Sequence, residues 1–196
     1  LDKHISNLRL YGVPVVVAIN RFPSDTDEEI AEIRSHCDSL GVPSAESTVF
    51  TDGGKGGMEL ARKVVEAIGE GKDFRPLYGT ELSIKQKIET IGYEIYGASM
   101  VNYLPAAEKV ISSLEAAGYG SLPVCIAKTQ ASISDNPSRK GAPTGWKLTV
   151  RDVYVSAGAG FIVPICGQMT LMPGLPKKPA AERIDLDAEG IIRGLR

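Results

Sequence analysis

A chain of 196 residues, 43% hydrophobic, with 22 Lys and Arg against 24 Asp and Glu for a formal charge of −2, can bury its own core as one domain or two small ones. That balance excludes a disordered or fibrous chain and offers no basic excess for a nucleic-acid backbone. No run of about 18 apolar residues is present to span a bilayer, and the first residues lack the basic-then-apolar layout of a secretory signal, so a cytoplasmic location is expected, with no membrane partner.

The first element is Val13-Pro14-Val15-Val16-Val17-Ala18-Ile19, a β-branched run of the kind buried on both faces of a parallel sheet. It stops at Asn20-Arg21-Phe22-Pro23. Thr26 and Glu29 then form a capping box, and Ile30, Ile33, Cys37 and Leu40 recur at helical spacing until Gly41. A shorter strand is predicted around Thr48-Val49-Phe50. It runs into Gly53-Gly54-Lys55-Gly56-Gly57, and Leu60, Ala61, Val64, Val65 and Ile68 mark the helix that follows. Successive strand–loop–helix units predict an α/β fold with a parallel sheet over residues 1–80, and residues 69–80 read as a connection.

A smaller α+β region is predicted over 81–196. Ile84, Ile88, Ile91 and Ile95 form one helical face, and Ala107, Val110, Ile111 and Leu114 another, ended by Gly118. Leu122 to Ala127 reads as a buried strand, and 129–145 as a long polar loop. Trp146, Leu148 and Val150 alternate, whereas Val153 and Val155 take the opposite parity. The strand therefore bulges near Arg151-Asp152 or is covered on both sides, and the bulge is the favoured reading. Ser156 to Gly160 turns the chain into Phe161–Ile165 as a β-hairpin, with Pro164 placing that strand at an edge or at its end. A Pro/Lys segment from Pro173 to Pro179 precedes a short strand at Ile184 and Leu186.

Ligands of open α/β sheets bind beyond the carboxyl ends of the strands, where Asn20–Pro23 and Phe50–Gly57 both lie. Phe22 and Phe50 there are suited either to sandwiching a flat heterocycle or to plugging the sheet edge. The loop Gly53-Gly54-Lys55-Gly56-Gly57 opens a helix, so it is a tight turn or a weak anion site. It lacks the Lys-Ser/Thr ending of a P-loop. Asp25, Asp27, Glu28 and Glu29 read as first-turn acids of a helix rather than as a metal site. Lys128-Thr129-Gln130 reads as solvated loop, with ligand hydrogen bonding as the alternative. Cys37, Cys125 and Cys166 read as reduced, buried thiols, and His4 and His36 lack the spacing of a zinc site, so no metal is expected. No GxSxG elbow or Ser–His–Asp set is present, which excludes a self-contained hydrolase.

The stretch from His4-Ile5 through Gly12-Val13-Pro14 to Ala18-Ile19-Asn20-Arg21-Phe22, the run Asp25-Thr26-Asp27, the Gly53–Gly57 loop and the ending Met172-Pro173-Gly174-Leu175-Pro176, Ile184-Asp185-Leu186-Asp187, Gly190, Gly194-Leu195 together resemble the formate–tetrahydrofolate ligase family. The likeness covers the whole chain in family order and is to the C-terminal portion. It implies a reaction in which ATP phosphorylates formate and N10 of tetrahydrofolate attacks the formyl phosphate, giving 10-formyltetrahydrofolate. It also implies ATP with Mg²⁺, bound mainly by an N-terminal portion that holds the family's P-loop, and a homotetramer.

The resemblance further implies that the pterin stacks between Phe22, with Pro23 beside it, and Phe50; on chemical grounds Asn20 or nearby backbone is suited to its polar edge. The second aromatic is more usually Trp in the family, so Phe50 is a departure that offers a smaller face. No catalytic residue is assigned to this chain, which begins at Leu1 and is expected to be inactive alone for want of the upstream portion. The alternative reading is a non-catalytic interaction or oligomerisation module, docking through loop 129–145 or the edge near Pro164.

Overall fold

A computed structural model describes residues 1–71, 73–169 and 177–195. The Met172–Pro176 motif lies outside the described residues, as does most of the Pro/Lys segment. The chain opens with helix α1 (Asp2–Arg9) and turns at Gly12 into strand β1 (Val17–Asn20). Helix α2 (Asp27–Ser39) follows, its capping box complete: the Thr26 hydroxyl accepts from Glu29 N–H and the Glu29 carboxylate from Thr26 N–H. Gly41, at φ 59°, supplies the left-handed residue that turns the chain out of α2.

Strand β2 (Ser44–Ser47) then pairs parallel with β1, from Val17 opposite Ser44 to Asn20 opposite Ser47. The second strand therefore precedes the predicted Thr48-Val49-Phe50. Those residues belong to a helical turn, α3 (Val49–Asp52), because the Thr48 carbonyl accepts from the N–H groups of Thr51 and Asp52. A 3₁₀ turn, Gly53–Gly57, leads into α4 (Met58–Gly69).

This first α/β layer is covered on one side only. Of the run Val13–Ile19, Ile19 is buried, residues 13–17 are half-buried and Ala18 is exposed, so the expected full burial on both faces does not hold among the described residues. Val64, Val65 and Ile68 of α4 are likewise exposed, and only Ala67 of that helix is buried. The apolar pattern is real, but the described residues supply no second layer to meet it.

The larger core lies further along. Helix α5 (Ile84–Thr90), capped by Ser83 and Gln86, passes into a π-helical turn at Ile91–Ile95. Gly92 permits the close approach there, since a Cβ would stand 2.9 Å from Val101 Cγ2. Strand β3 (Met100–Tyr103) and helix α6 (Pro105–Ala116) follow, with Pro105 in the first turn where its missing N–H is harmless and Gly118 at φ 85°. Strands β4 (Lys147–Ser156) and β5 (Phe161–Cys166) complete a sheet ordered β3-β4-β5, parallel then antiparallel. The register shifts between Val150 and Asp152, and this bulge carries the inward side from Trp146, Leu148 and Val150 to Val153. These residues pack against Ile84, Ile88, Ala107 and Ile111 as one core.

Residues 122–127 do not form a continuous strand. Only Val124 and Ala127 bridge to Ile162 and Ile165 of β5. Ile162 N–H donates to Pro123 and Cys166 N–H to Ala127, so the intervening donor on that edge would come from residue 164, and proline has none. β5 is the outer strand of its sheet, as Pro164 predicted, and residues 122–127 lie against that edge, with the Pro164 side chain fully buried. The exposure of Cys125 also departs from the expected burial of all three thiols, while Cys37 and Cys166 are buried. A small hairpin of β6 (Asp185–Leu186) and β7 (Ile192–Arg193) ends the described chain, its turn tied to the Asp187 carboxylate.

Side-chain hydrogen bonds join the segment before β1 to the later region: Lys3 Nζ donates to the Glu94 carbonyl at 2.7 Å, and Asn7 Nδ2 to that of Ile95 at 3.0 Å. No helix among the described residues is long and apolar enough to cross a membrane.

Candidate functional site

At the carboxyl end of β1, Phe22 N–H donates to Asp25 Oδ2 at 2.8 Å while Asp25 N–H donates to the Phe22 carbonyl at 3.0 Å. Pro23 sits at the second position of this reciprocal turn, where its fixed φ is favourable. Asp25, read from sequence as a helix-start acid, therefore shapes the Phe22 turn instead. Asp27 pairs with the Arg21 guanidinium, whose other terminal nitrogen meets Glu46 Oε2 at 3.2 Å. Asp27, Glu28 and Glu29 do stand in the first turn of α2, as expected of helix-start acids, and Glu29 also closes the capping box. The signal that was available is the Asp three residues after Phe22 with Pro between, a turn spacing.

From the second strand, α3 carries Phe50 out beside this turn. The ring centroids of Phe22 and Phe50 are 5.4 Å apart with planes at 56°, and the rings are 44% and 77% exposed. The sequence-predicted aromatics are thus brought together, but in direct tilted contact. A flat ring between them needs parallel faces about 7 Å apart, twice the roughly 3.5 Å contact distance. Asn20 is exposed at the end of the same strand, next to the turn. Pro23 is exposed alongside Phe22.

The glycine loop is more closely fitted than its composition suggests. Thr48 N–H donates to the Gly56 carbonyl at 3.1 Å, and a Cβ on Gly56 would stand 2.5 Å from the Thr48 carbonyl carbon. Gly53, at φ 60°, makes the corner, and Gly54 meets nothing nearby. A cavity beside the loop is lined by Lys55, Gly56 and Arg62 but equally by Glu46, Asp52 and Glu59, so its walls are of mixed sign. Gly57 stands at the helix N-terminus with no side-chain cap.

Lys128 is not a solvated loop residue. Its ammonium donates to the carbonyls of Thr129 at 3.2 Å and Ser134 at 3.3 Å and to that of Ser132, and it lies 4.8 Å from the centre of the Tyr96 ring. Burial holds its pKa below the usual lysine value. Loop 129–145 is thereby tied down at its start, and Asp135 accepts from Thr149 N–H at 2.9 Å further on. Among the described residues no group of three or more His, Cys, Asp or Glu side chains is gathered as a metal ion would require. The sequence holds no GxxxxGK[ST] phosphate loop.

The fold is a mixed α/β one with small sheets, and the paired aromatics stand past the carboxyl ends of its parallel strand pair. Residues 1–196 match the model of the formate–tetrahydrofolate ligase family, and the chain belongs to that family. It is 51% identical over 198 residues to a formate–tetrahydrofolate ligase of Haloquadratum walsbyi, which covers all of this chain and 34% of that protein. It is 52% identical to formate–tetrahydrofolate ligase 3 of Rubrobacter xylanophilus, again over the whole chain and 36% of the relative, and 50% identical to that of Paracoccus denitrificans, over 35% of it. The chain thus spans about a third of the length of the curated relatives it matches.

Proposed function

We propose that this chain is the folate-binding part of an ATP-dependent ligase that makes 10-formyltetrahydrofolate from formate and tetrahydrofolate by way of formyl phosphate. The observation that carries the reading is the exposed Phe22–Phe50 pair at the carboxyl ends of a parallel strand pair, in a chain of this family. Pterin has two π-faces for these rings and a polar edge for Asn20. Pro23 stiffens the turn beneath Phe22. The slot opens when the rings separate from 5.4 Å and become parallel.

No step through Mg-ATP is derived from these residues, and no catalytic group is assigned among them; ATP, Mg²⁺ and formyl phosphate are left to an upstream portion of the longer ligase. The uncovered apolar side chains Val64, Val65 and Ile68 of α4 favour such a portion packing against the first layer. The glycine loop serves as the hinge of the Phe50 turn rather than as an anion site, given its mixed-sign surroundings. We also propose a division of the chain near residue 80, a cytoplasmic location and a homotetrameric parent, in line with the family resemblance.

Calorimetric titration of the chain with tetrahydrofolate, and separately with Mg-ATP, tests the reading. Heat from folate and none from Mg-ATP is the expected result. Folate heat that persists undiminished in Phe22→Ala and Phe50→Ala would overturn the stacking assignment.

A further inference from the structure

Four charged side chains gather where the Phe22 turn meets β2. Arg21 bridges Asp27 in the first turn of α2 and Glu46 on β2, and the second oxygen of Glu46 is held by Arg34 of α2 at 2.9 Å. Arg21 N–H also donates to the Ser47 carbonyl at 3.0 Å, so the residue before Phe22 is fixed through both backbone and side chain. Asp27 is largely open to water and its contact is screened, whereas Glu46 and Arg21 keep 24% and 29% of their side chains exposed and form the more sheltered pair.

The opposite wall is built differently. Phe50 stands on a four-residue helical turn with no buried residue, ending at the left-handed Gly53. Its backbone ties run within the loop itself, to Thr48. One ring of the pair must therefore yield when a flat heterocycle enters, and the anchoring is on the side of Phe22.

We propose that Arg21 and Glu46 are positioning residues for the pterin slot: their ion pair fixes the backbone that carries Phe22, leaving Phe50 as the wall that moves. This rests on the folate reading above. The two oxygens of Glu46 each accept from a different arginine, so a glutamine there, with one acceptor and one donor end, can serve only one of them. Arg21→Gln removes the other half of the same latch.

The test is steady-state kinetics of a full-length ligase carrying this segment, with Glu46→Gln, Arg21→Gln, the double variant, and Phe22→Ala and Phe50→Ala as reference variants. Each latch variant is expected to raise KM for tetrahydrofolate about three- to fivefold, the scale of a partly exposed ion pair, with kcat and the KM values for ATP and formate held. The double variant should fall short of the product of the two singles, because both lose the Arg21–Glu46 contact while each also loses a second one, to Asp27 or to Arg34. Arg21→Lys, which keeps the charge but not the fork, should recover part of the loss.

A double variant whose effect is the product of the singles would overturn the pairing. A rise in all three KM values, or a fall in kcat alongside them, would mean general loosening and would overturn the positioning role. If Phe22→Ala and Phe50→Ala raise KM for folate while the latch variants leave it unchanged, this inference fails and the folate reading stands. If the phenylalanine variants also leave it unchanged, the folate reading itself has failed.

Discussion

Replacing Phe50 by alanine separates binding from folding, because a ring left 77% exposed contributes little to the core. Of the roughly 200 Å² that an aromatic side chain presents, about 150 Å² is therefore open, and one ring face is about half of that. Covering about 75 Å² at about 25 cal/mol per Å² gives about 2 kcal/mol. Stacking adds about 0.5–1.5 kcal/mol, and parting Phe50 from Phe22 costs a similar amount, so the net loss on truncation stays near 2 kcal/mol. Tetrahydrofolate should bind about thirtyfold more weakly to Phe50→Ala, while the unfolding free energy falls by no more than the about 0.5–1.5 kcal/mol of the lost contact with Phe22. The assay is KM for tetrahydrofolate, or direct calorimetry, in the full-length ligase with ATP titrated in parallel. Equal folate affinity in parent and variant would refute the stacking argument. Replacing Phe50 by tryptophan enlarges the face and should tighten folate.

Three further outcomes follow from the fold. Lys87 is fully buried and donates to the carbonyls of Gly120 at 2.7 Å and Leu122 at 3.1 Å, so Lys87→Ala, which orphans both, should lower stability by about 2–3 kcal/mol; an unchanged denaturant midpoint would remove its assigned role. Gly12 adopts φ 66° with its Cα against the Asp73 carbonyl, which a Cβ would overlap, so Gly12→Ala should destabilise by at least about 2 kcal/mol, read by thermal unfolding. Burial pushes the Cys166 thiol up to about 12 from an ordinary value of 9.0. The folded chain therefore keeps a proton that the unfolded chain releases, and stability must fall as pH rises from about 9 towards 12. Cys166→Ala should flatten that decline between pH 9 and 11, and a slope identical to the parent's would show that the thiol does not contribute.

The local signals in the sequence were those that depend on neighbours a few residues away. Thr26 with Glu29, Gly118 after the helix it ends, the change of parity around Arg151 and the 156–160 turn each specify geometry through bonds spanning only a few residues, and each is found in the structure. Family membership was legible for a related reason: a glycine corner or a proline turn leaves its mark on the residue type itself. The aromatics were legible as a pair of strand-end residues, but not their mutual contact.

Tertiary structure decided whatever depends on a distant partner. Ser44–Ser47 is a strand because β1 offers it a parallel edge, although its residues have little strand character, and that choice moved Phe50 from a strand onto a helical turn. Lys128 came to lie over the Tyr96 ring, a partner far from it in the sequence that periodicity does not reveal. The apolar faces of β1 and α4 show the same division: the sequence determined that those residues are fit to be covered, and the three-dimensional arrangement decided which of them this chain covers itself. Short-range bonding writes itself into residue order, whereas burial and ion pairing depend on surfaces that meet only after the chain has folded.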